Sequence, residues 1–416
     1  MNQSAPIHTI SLSTHTYGGE TLGRLPDGRA AFVPFALPGE KVQVRLTEEK
    51  QRYVKAELLE VLEPSPARIN PFCTHFGICG GCHYQHLAYK DQLLAKTNIL
   101  SDQIERIGGL INPPINIMIP STHEVHYRNH VQFHLNQDGQ LGYHRSRSND
   151  VIAIQECYLP EEQINILWPQ LDFEAIPELS RIGLRSGSED SLQLILESSD
   201  PIPPMLSIED LPISVVHLSP FGSLVLAGSE TLSIEILNRS FQVSAGSFFQ
   251  VNTCIAEKMV EHILRNLSNF YPPGSNTTII DAYCGVGLFS AFLAPHTNKL
   301  IGIESAPSSA DDFVINLEEF DNVELYEATL DYVLSNLDIK SDVMILDPPR
   351  SGVDKRTIDS LLKNPPRILI YVSCDPATLS RDARRLSSAG YKLEQLTPFD
   401  MFPQTYHIES ISFWSL

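Results

Sequence analysis

Between residues 278 and 372, short apolar runs alternate with stretches whose apolar positions recur at helical spacing. The runs 278–282, 300–303, 323–326, 343–346 and 368–372 are short and rich in Ile, Val and Leu, so they read as strands buried on both faces. Strands of that kind, separated by helices, predict an α/β domain with a doubly wound, Rossmann-like parallel sheet. Residues 8–62 have a different texture. β-rich runs such as 31–35 and 41–46 are broken by Gly18-Gly19, Pro26-Asp27-Gly28 and Pro38-Gly39, which predicts a small β-barrel. Its end is marked by Glu63-Pro64-Ser65-Pro66-Ala67-Arg68, where closely spaced prolines favour an extended connector. Over 89–107 the apolar positions Leu93, Leu100, Ile104 and Ile107, with Gly108-Gly109 beyond them, predict an amphipathic helix. Repeated strand pairs around turns over 125–245 predict a β-meander packed on one face. The expected domains are 1–66, 67–240 and 241–416.

Charge changes this picture only in part. The chain carries 50 acidic and 30 basic side chains, a net −20. Eight of each lie in the first 70 residues, so the excess, 42 against 22, falls wholly outside the barrel. Phosphate binding rests mainly on Lys and Arg, so broad nucleic-acid affinity is not expected. Recognition by shape and by a captured base stays open. The first twenty residues have no apolar stretch behind a basic start, and no run reaches the roughly 18 apolar residues of a membrane span. A cytoplasmic, monomeric chain without a membrane partner is expected. Seven cysteines are too few and too unevenly placed for a disulfide scaffold, so a cluster among them points to metal binding or catalysis.

Ligands of doubly wound sheets sit beyond the carboxyl ends of the strands, which directs attention to the residues just past each run. After the first comes Asp281-Ala282-Tyr283-Cys284-Gly285-Val286-Gly287, whose glycines allow a ligand close to the backbone and to the next helix N-terminus. After the second comes Glu304, placed to accept hydrogen bonds from ribose hydroxyls. Either a nicotinamide dinucleotide or S-adenosylmethionine has such a ribose. The fourth run leads into Asp347-Pro348-Pro349-Arg350, a rigid loop that a dehydrogenase does not need and that lacks the aromatic platform of amine methylation. The fifth leads into Ser373-Cys374-Asp375-Pro376, with Asp375 as helix N-cap and Pro376 as first helical residue. A thiol at a helix N-terminus is expected to have a lowered pKa. Cys254 and Cys284 read as structural. Elsewhere Cys73, Cys79 and Cys82 are spaced C-x5-C-x2-C, and Cys157 can complete four thiolates; the spacing suits zinc or an iron-sulfur cluster equally. Tyr127-Arg128-Asn129-His130 and His144-Arg145-Ser146-Arg147 mix aromatic and basic side chains suited to single-stranded RNA, and Phe248 or Phe249 is a candidate to stack on a flipped base.

Taken together, Phe248-Phe249-Gln250-Val251-Asn252, the 281–287 segment, Asp347-Pro348-Pro349-Arg350, Ser373-Cys374-Asp375-Pro376 and Phe402-Pro403 through His407-Ile408-Glu409-Ser410 resemble the RNA uracil-5-methyltransferase family in content and order. The N-terminal segment, with its Ala36-Leu37-Pro38-Gly39-Glu40 turn, resembles a TRAM domain, a small RNA-binding barrel. The resemblance spans nearly the whole chain, although Leu288 stands where some members carry a polar cofactor contact. It implies that Gln250, Tyr283, Glu304 and Asp347 line a site for S-adenosylmethionine, that Cys374 is the nucleophile, and that Glu409 is the base. It also implies a 4Fe-4S cluster on Cys73, Cys79, Cys82 and Cys157, with zinc as the alternative, and a uridine of ribosomal RNA, or second of transfer RNA, as the target. The barrel is expected to dock RNA apart from the catalytic sheet. The rival readings are an NAD-dependent oxidoreductase of similar fold and an RNA-binding protein without chemistry.

Overall fold

Alternating apolar residues close the N-terminal segment into a barrel. Its strands are β1 (Ile7–Thr16), β2 (Glu20–Arg24), β3 (Ala30–Pro34), β4 (Lys41–Glu49) and β5 (Tyr53–Glu63), in the order β1-β2-β3-β5-β4. Ile10, Leu12, Val42, Val44, Val54 and Ala56 fill the interior at every second position. The computed structural model describes residues 6–173, 176, 179–204, 212–270, 276–336 and 340–416. Glu40, fully buried at the end of the Ala36–Glu40 turn, ties barrel to connector by accepting from Arg68 Nε (2.5 Å) and Nη2 (2.8 Å) and from the amides of Leu37 and Ser65. Burial pushes its carboxyl pKa up, but these donors win and hold it below the usual range.

The predicted helix is α1 (Tyr89–Arg106). Its apolar face, Leu100 and Ile104, packs into the C-terminal domain. The central segment is not a meander. Its strands β6 (His130–Leu135), β7 (Leu141–His144), β8 (Val151–Ala153), β9 (Leu179–Ser186), β10 (Leu192–Ser198), β11 (Ser214–Ser219) and β12 (Gly222–Ala227) form a sheet ordered β12-β11-β10-β9-β6-β7-β8. The chain passes through α2 (Glu162–Leu167) before β9 pairs beside β6, and β10 runs parallel to β11. Alternation sets which face of a strand is buried but not which strand lies beside it, so the sequence pattern could not distinguish this order from a meander.

The hairpin β13 (Thr231–Ile236) and β14 (Arg239–Ser244) buries Ile234, Ile236, Phe241 and Val243 in the same cluster as α3 (Thr253–Phe270). Beyond it lies the expected sheet: β15 (Thr278–Ala282), β16 (Lys299–Glu304), β17 (Val323–Glu327), β18 (Val343–Leu346) and β19 (Ile368–Ser373), joined by β20 (Lys392–Phe399) and β21 (Glu409–Ser415) in the order β17-β16-β15-β18-β19-β21-β20. Successive residues face opposite layers, which is why these runs are continuously apolar. Ile279, Val343, Ile345 and Ile370 pack with α3 and with α4 (Leu288–Leu293) and α5 (Pro307–Asn316). Ile280, Met344, Leu346 and Leu369 pack with α1, with α6 (Leu330–Asn336), with α7 (Lys355–Leu361) and with α8 (Pro376–Ser388). Leu288 is buried in the first layer. Among the described residues no helix is long and apolar enough to cross a membrane.

Candidate active site

The strand order reverses between β15 and β18, and the crevice at such a switch point is where doubly wound sheets bind ligands. Asp281 and Asp347 come from the carboxyl ends of these two neighbours, and Glu304 from the end of β16. Asp281 is fully buried and takes the Ser290 hydroxyl at 2.6 Å. Burial pushes its pKa up to about 7, and burial with the nearby Asp281 does the same to Asp347. Glu304 accepts from the amides of Gly285 (3.0 Å), Ser305 and Ala306 (2.7 Å each), so one carboxylate fixes both the glycine loop and the entry to α5. Tyr283 holds a left-handed φ of +63°, a conformation that costs energy in a non-glycine residue and often marks a functional site. Gly287, at φ +91°, holds a left-handed conformation that favours glycine, and a Cβ there would also press on Leu317 Cδ1 at 2.4 Å and Phe313 Cδ2 at 3.0 Å. The thiol of Cys284 is buried and its pKa raised well above the ordinary value by burial, in keeping with a structural role.

Cys374 leaves β19 at the same rim. Asp375 caps α8 as expected, its Oδ1 accepting from Ala377 and Thr378 N–H at 2.9 Å each. β21 runs antiparallel to β19 as far as the Ser373–Ser410 pair, and Cys374 and Glu409 each lie one residue beyond it, with Glu409 paired to Phe399 of β20 on its other side. Cys374, Glu409, Asp347 and Arg350 therefore share one electrostatic neighbourhood. The thiol is not acidified. Burial, then Glu409 and Asp347, push its pKa up to about 12, outweighing Arg350. Burial, then Asp347, likewise raises the Glu409 carboxyl well above the usual range.

Gln250 is buried in the segment joining the hairpin to α3, and its carbonyl takes Asn129 Nδ2 at 3.0 Å. That segment is pinned from two sides. Arg185 donates to the carbonyls of Ser244 and Ser247, while the buried carboxylate of Asp312 takes their hydroxyls and the Ser244 amide. Nothing local in the sequence marked either residue, because each acts through a partner some sixty positions away. Of the two stacking candidates, Phe249 is 5% exposed and locked in the core, whereas Phe248 is 69% exposed. The candidate RNA stretch divides as well. Tyr127 and Asn129 are buried in the junction, with Tyr127 donating to the Pro403 carbonyl, and only the 144–147 half faces solvent.

The four cysteines meet elsewhere. Cys73, Cys79, Cys82 and Cys157 bound one cavity of about 640 Å³, along with Arg128, Tyr143, Arg185 and Phe248. All four are free thiols, and burial raises the pKa of each. Among the described residues no group of three or more His, Cys, Asp or Glu side chains stands ready to hold a metal ion. The four thiols line one cavity and act electrostatically on one another, without forming a recognisable site for either zinc or an iron-sulfur cluster.

Fold and rim together define a Rossmann-like RNA methyltransferase with an N-terminal barrel. The chain belongs to the RNA uracil-5-methyltransferase family, whose members use S-adenosylmethionine: residues 227–415 match the sequence model of the tRNA (uracil-5-)-methyltransferases, and residues 9–59 match that of the TRAM domain. It is 36% identical over 420 residues to an uncharacterized RNA methyltransferase of Aquifex aeolicus, covering 97% of both chains. It is 34% identical over 445 residues to another of Thermosynechococcus vestitus, covering 99% of this chain and 98% of that one. Among solved structures, the tRNA (uracil-54, C5)-methyltransferase of Pyrococcus abyssi in complex with S-adenosyl-L-homocysteine shares the fold, with a TM-score of 0.73 at 22% identity over 97% of this chain and all of the other.

Proposed function

We propose that this chain methylates carbon 5 of a uridine in ribosomal or transfer RNA, with Cys374 as nucleophile and Glu409 as base. The observation that carries the reading is that Cys374 and Glu409 both adjoin the Ser373–Ser410 pair at the carboxyl rim of the sheet, where Glu409 and Asp347 act directly on the thiol. Uracil C5 is a poor nucleophile until sulfur adds to C6; the C5–C6 double bond then becomes an enolate able to take a methyl group. S-adenosylmethionine would supply that methyl when bound, with Glu304 placed for its ribose hydroxyls and Asp347 beside it. Tyr283 and Gln250 complete the expected wall. Glu409, in its ionised form, removes the C5 proton, the electron pair restores the double bond, and the thiolate of Cys374 leaves.

Cys374→Ala removes the nucleophile, and transfer is expected to fall by orders of magnitude. Glu409→Gln permits addition and methylation but not release, so a protein–RNA adduct surviving denaturing gels accumulates, and it is absent from the double variant. Near-normal transfer by Cys374→Ala, or an adduct mapped to Cys284, overturns the reading.

We also propose a 4Fe-4S cluster on Cys73, Cys79, Cys82 and Cys157. What supports this is four unbridged thiols lining one cavity, in the C-x5-C-x2-C spacing completed by Cys157, with zinc as the alternative.

A further inference from the structure

The turn that joins β1 to β2 is Tyr17-Gly18-Gly19-Glu20. Gly19 has φ +81°, and a Cβ on it would press on His83 at 3.0 Å, so the turn is built to seat closely on its neighbour. Its two flanking side chains hold different parts of the molecule. Glu20 pairs with Arg147 of the central segment. Tyr17 reaches the catalytic rim: its hydroxyl donates to Asp375 Oδ2 at 2.8 Å, leaving Oδ1 to cap α8. Its ring stands edge-on to Tyr406 at 5.6 Å, on the segment that leads into Glu409, and it packs against the cluster of Ile99, Met118 and Ile408. One barrel side chain thus bonds to the residue after Cys374 and packs on the cluster that contains the residue before Glu409.

We propose that Tyr17 is a positioning residue for methyl transfer, holding Cys374 and Glu409 in register through Asp375 and Ile408, so that the barrel is part of the active site. The inference rests on the reading of Cys374 as nucleophile. The phenol stays protonated through the working pH range, because burial and the Asp375 bond both raise its pKa, and it therefore remains a donor. A hydrogen bond to a carboxylate is among the stronger ones, and small misplacements of reacting groups cost rate far more than they cost binding.

The test is Tyr17→Phe in the full-length chain, assayed for transfer to unmodified RNA transcripts. The hydroxyl alone is removed, so kcat is expected to fall about tenfold or more while KM for RNA and the melting temperature stay close to parental. The rate of Cys374 adduct formation falls by the same factor. An unchanged kcat, or a rise in KM alone, overturns the inference, the latter making Tyr17 an RNA contact. Gly19→Ala forces the turn off its seat by a second route and is expected to lower kcat. Gly28→Ala, at an equally left-handed turn with nothing within 4 Å, is the matched control for barrel strain and should retain parental kcat. Equal losses in the two glycine variants also overturn the inference. Cys374→Ala separates the two readings: if it is inactive while Tyr17→Phe keeps parental kcat, only the positioning role falls, and if it is active, the nucleophile reading falls by itself.

Discussion

Glu409 acts directly on the Cys374 thiol, each residue lying one position beyond the Ser373–Ser410 pair that ends the β19–β21 ladder. Burial raises the pKa of both, reinforced by Glu409 and Asp347 at the thiol and by Asp347 at Glu409, so near neutral pH the free protein favours their protonated forms. Alkylation of Cys374 by iodoacetamide should therefore climb with pH through the alkaline range. At pH 9 the Glu409→Gln variant should react faster than the parent, by roughly a few-fold, because the carboxylate no longer opposes the thiolate. Peptide mapping of the labelled thiol reads this directly, and equal rates would remove the electrostatic coupling.

Asp347 is held near pKa 7 by burial and by Asp281, against an ordinary 3.8. A raised carboxyl favours folding below its unfolded pKa, and that contribution is lost as pH climbs from about 4 to about 7. Asp347→Asn fixes the neutral form. It should stabilise the chain at pH 8 by on the order of 1–2 kcal/mol in urea unfolding, do little at pH 4, and abolish methyl transfer. A destabilised Asp347→Asn chain at pH 8 would contradict the assigned shift.

Lys96 on α1 and Asp400 are both fully buried and meet at 2.5 Å, with the lysine also donating to the Phe402 carbonyl at 3.0 Å. Burial lowers the Lys96 pKa while Asp400 opposes that shift. Lys96→Met strands a buried carboxylate and should cost about 3–5 kcal/mol, whereas adding Asp400→Leu should recover most of it. Chemical denaturation of the single and double variants distinguishes this from a purely local packing loss, in which the second change would add to the first.

The cysteine cavity gives a prediction independent of catalysis. Anaerobically purified protein should be brown, with iron and sulfide each near about four per chain, and Cys157→Ser should lose colour and melting temperature together. A colourless parent with about one zinc would sink the cluster.

Much of the fold and of the rim was legible in the chain because it is local. Continuous runs of Ile, Val and Leu separated the parallel sheet from the barrel, and the strand bounds 278–282 and 343–346 were found as expected. Asp375 and Pro376 announced the start of α8, since an N-cap and a fixed φ act over two or three residues. Motif order was enough to bring Asp347, Cys374 and Glu409 to one rim. Other properties were decided only by tertiary structure. The raised pKa of Cys374 comes from burial and from carboxylates contributed by other strands, a sum over space that no neighbouring residue encodes. The order of the central sheet, the spending of Phe249 on the core, and the burial of Tyr127 are set by which faces meet. The barrel's place beside Cys374 is set by long-range contacts such as the Tyr17 hydroxyl, bonded to a carboxylate 358 positions away. Sequence determines the chemistry a residue can offer and the local geometry that presents it, while its pKa and its partners are set by the dielectric and the charges that folding gathers around it.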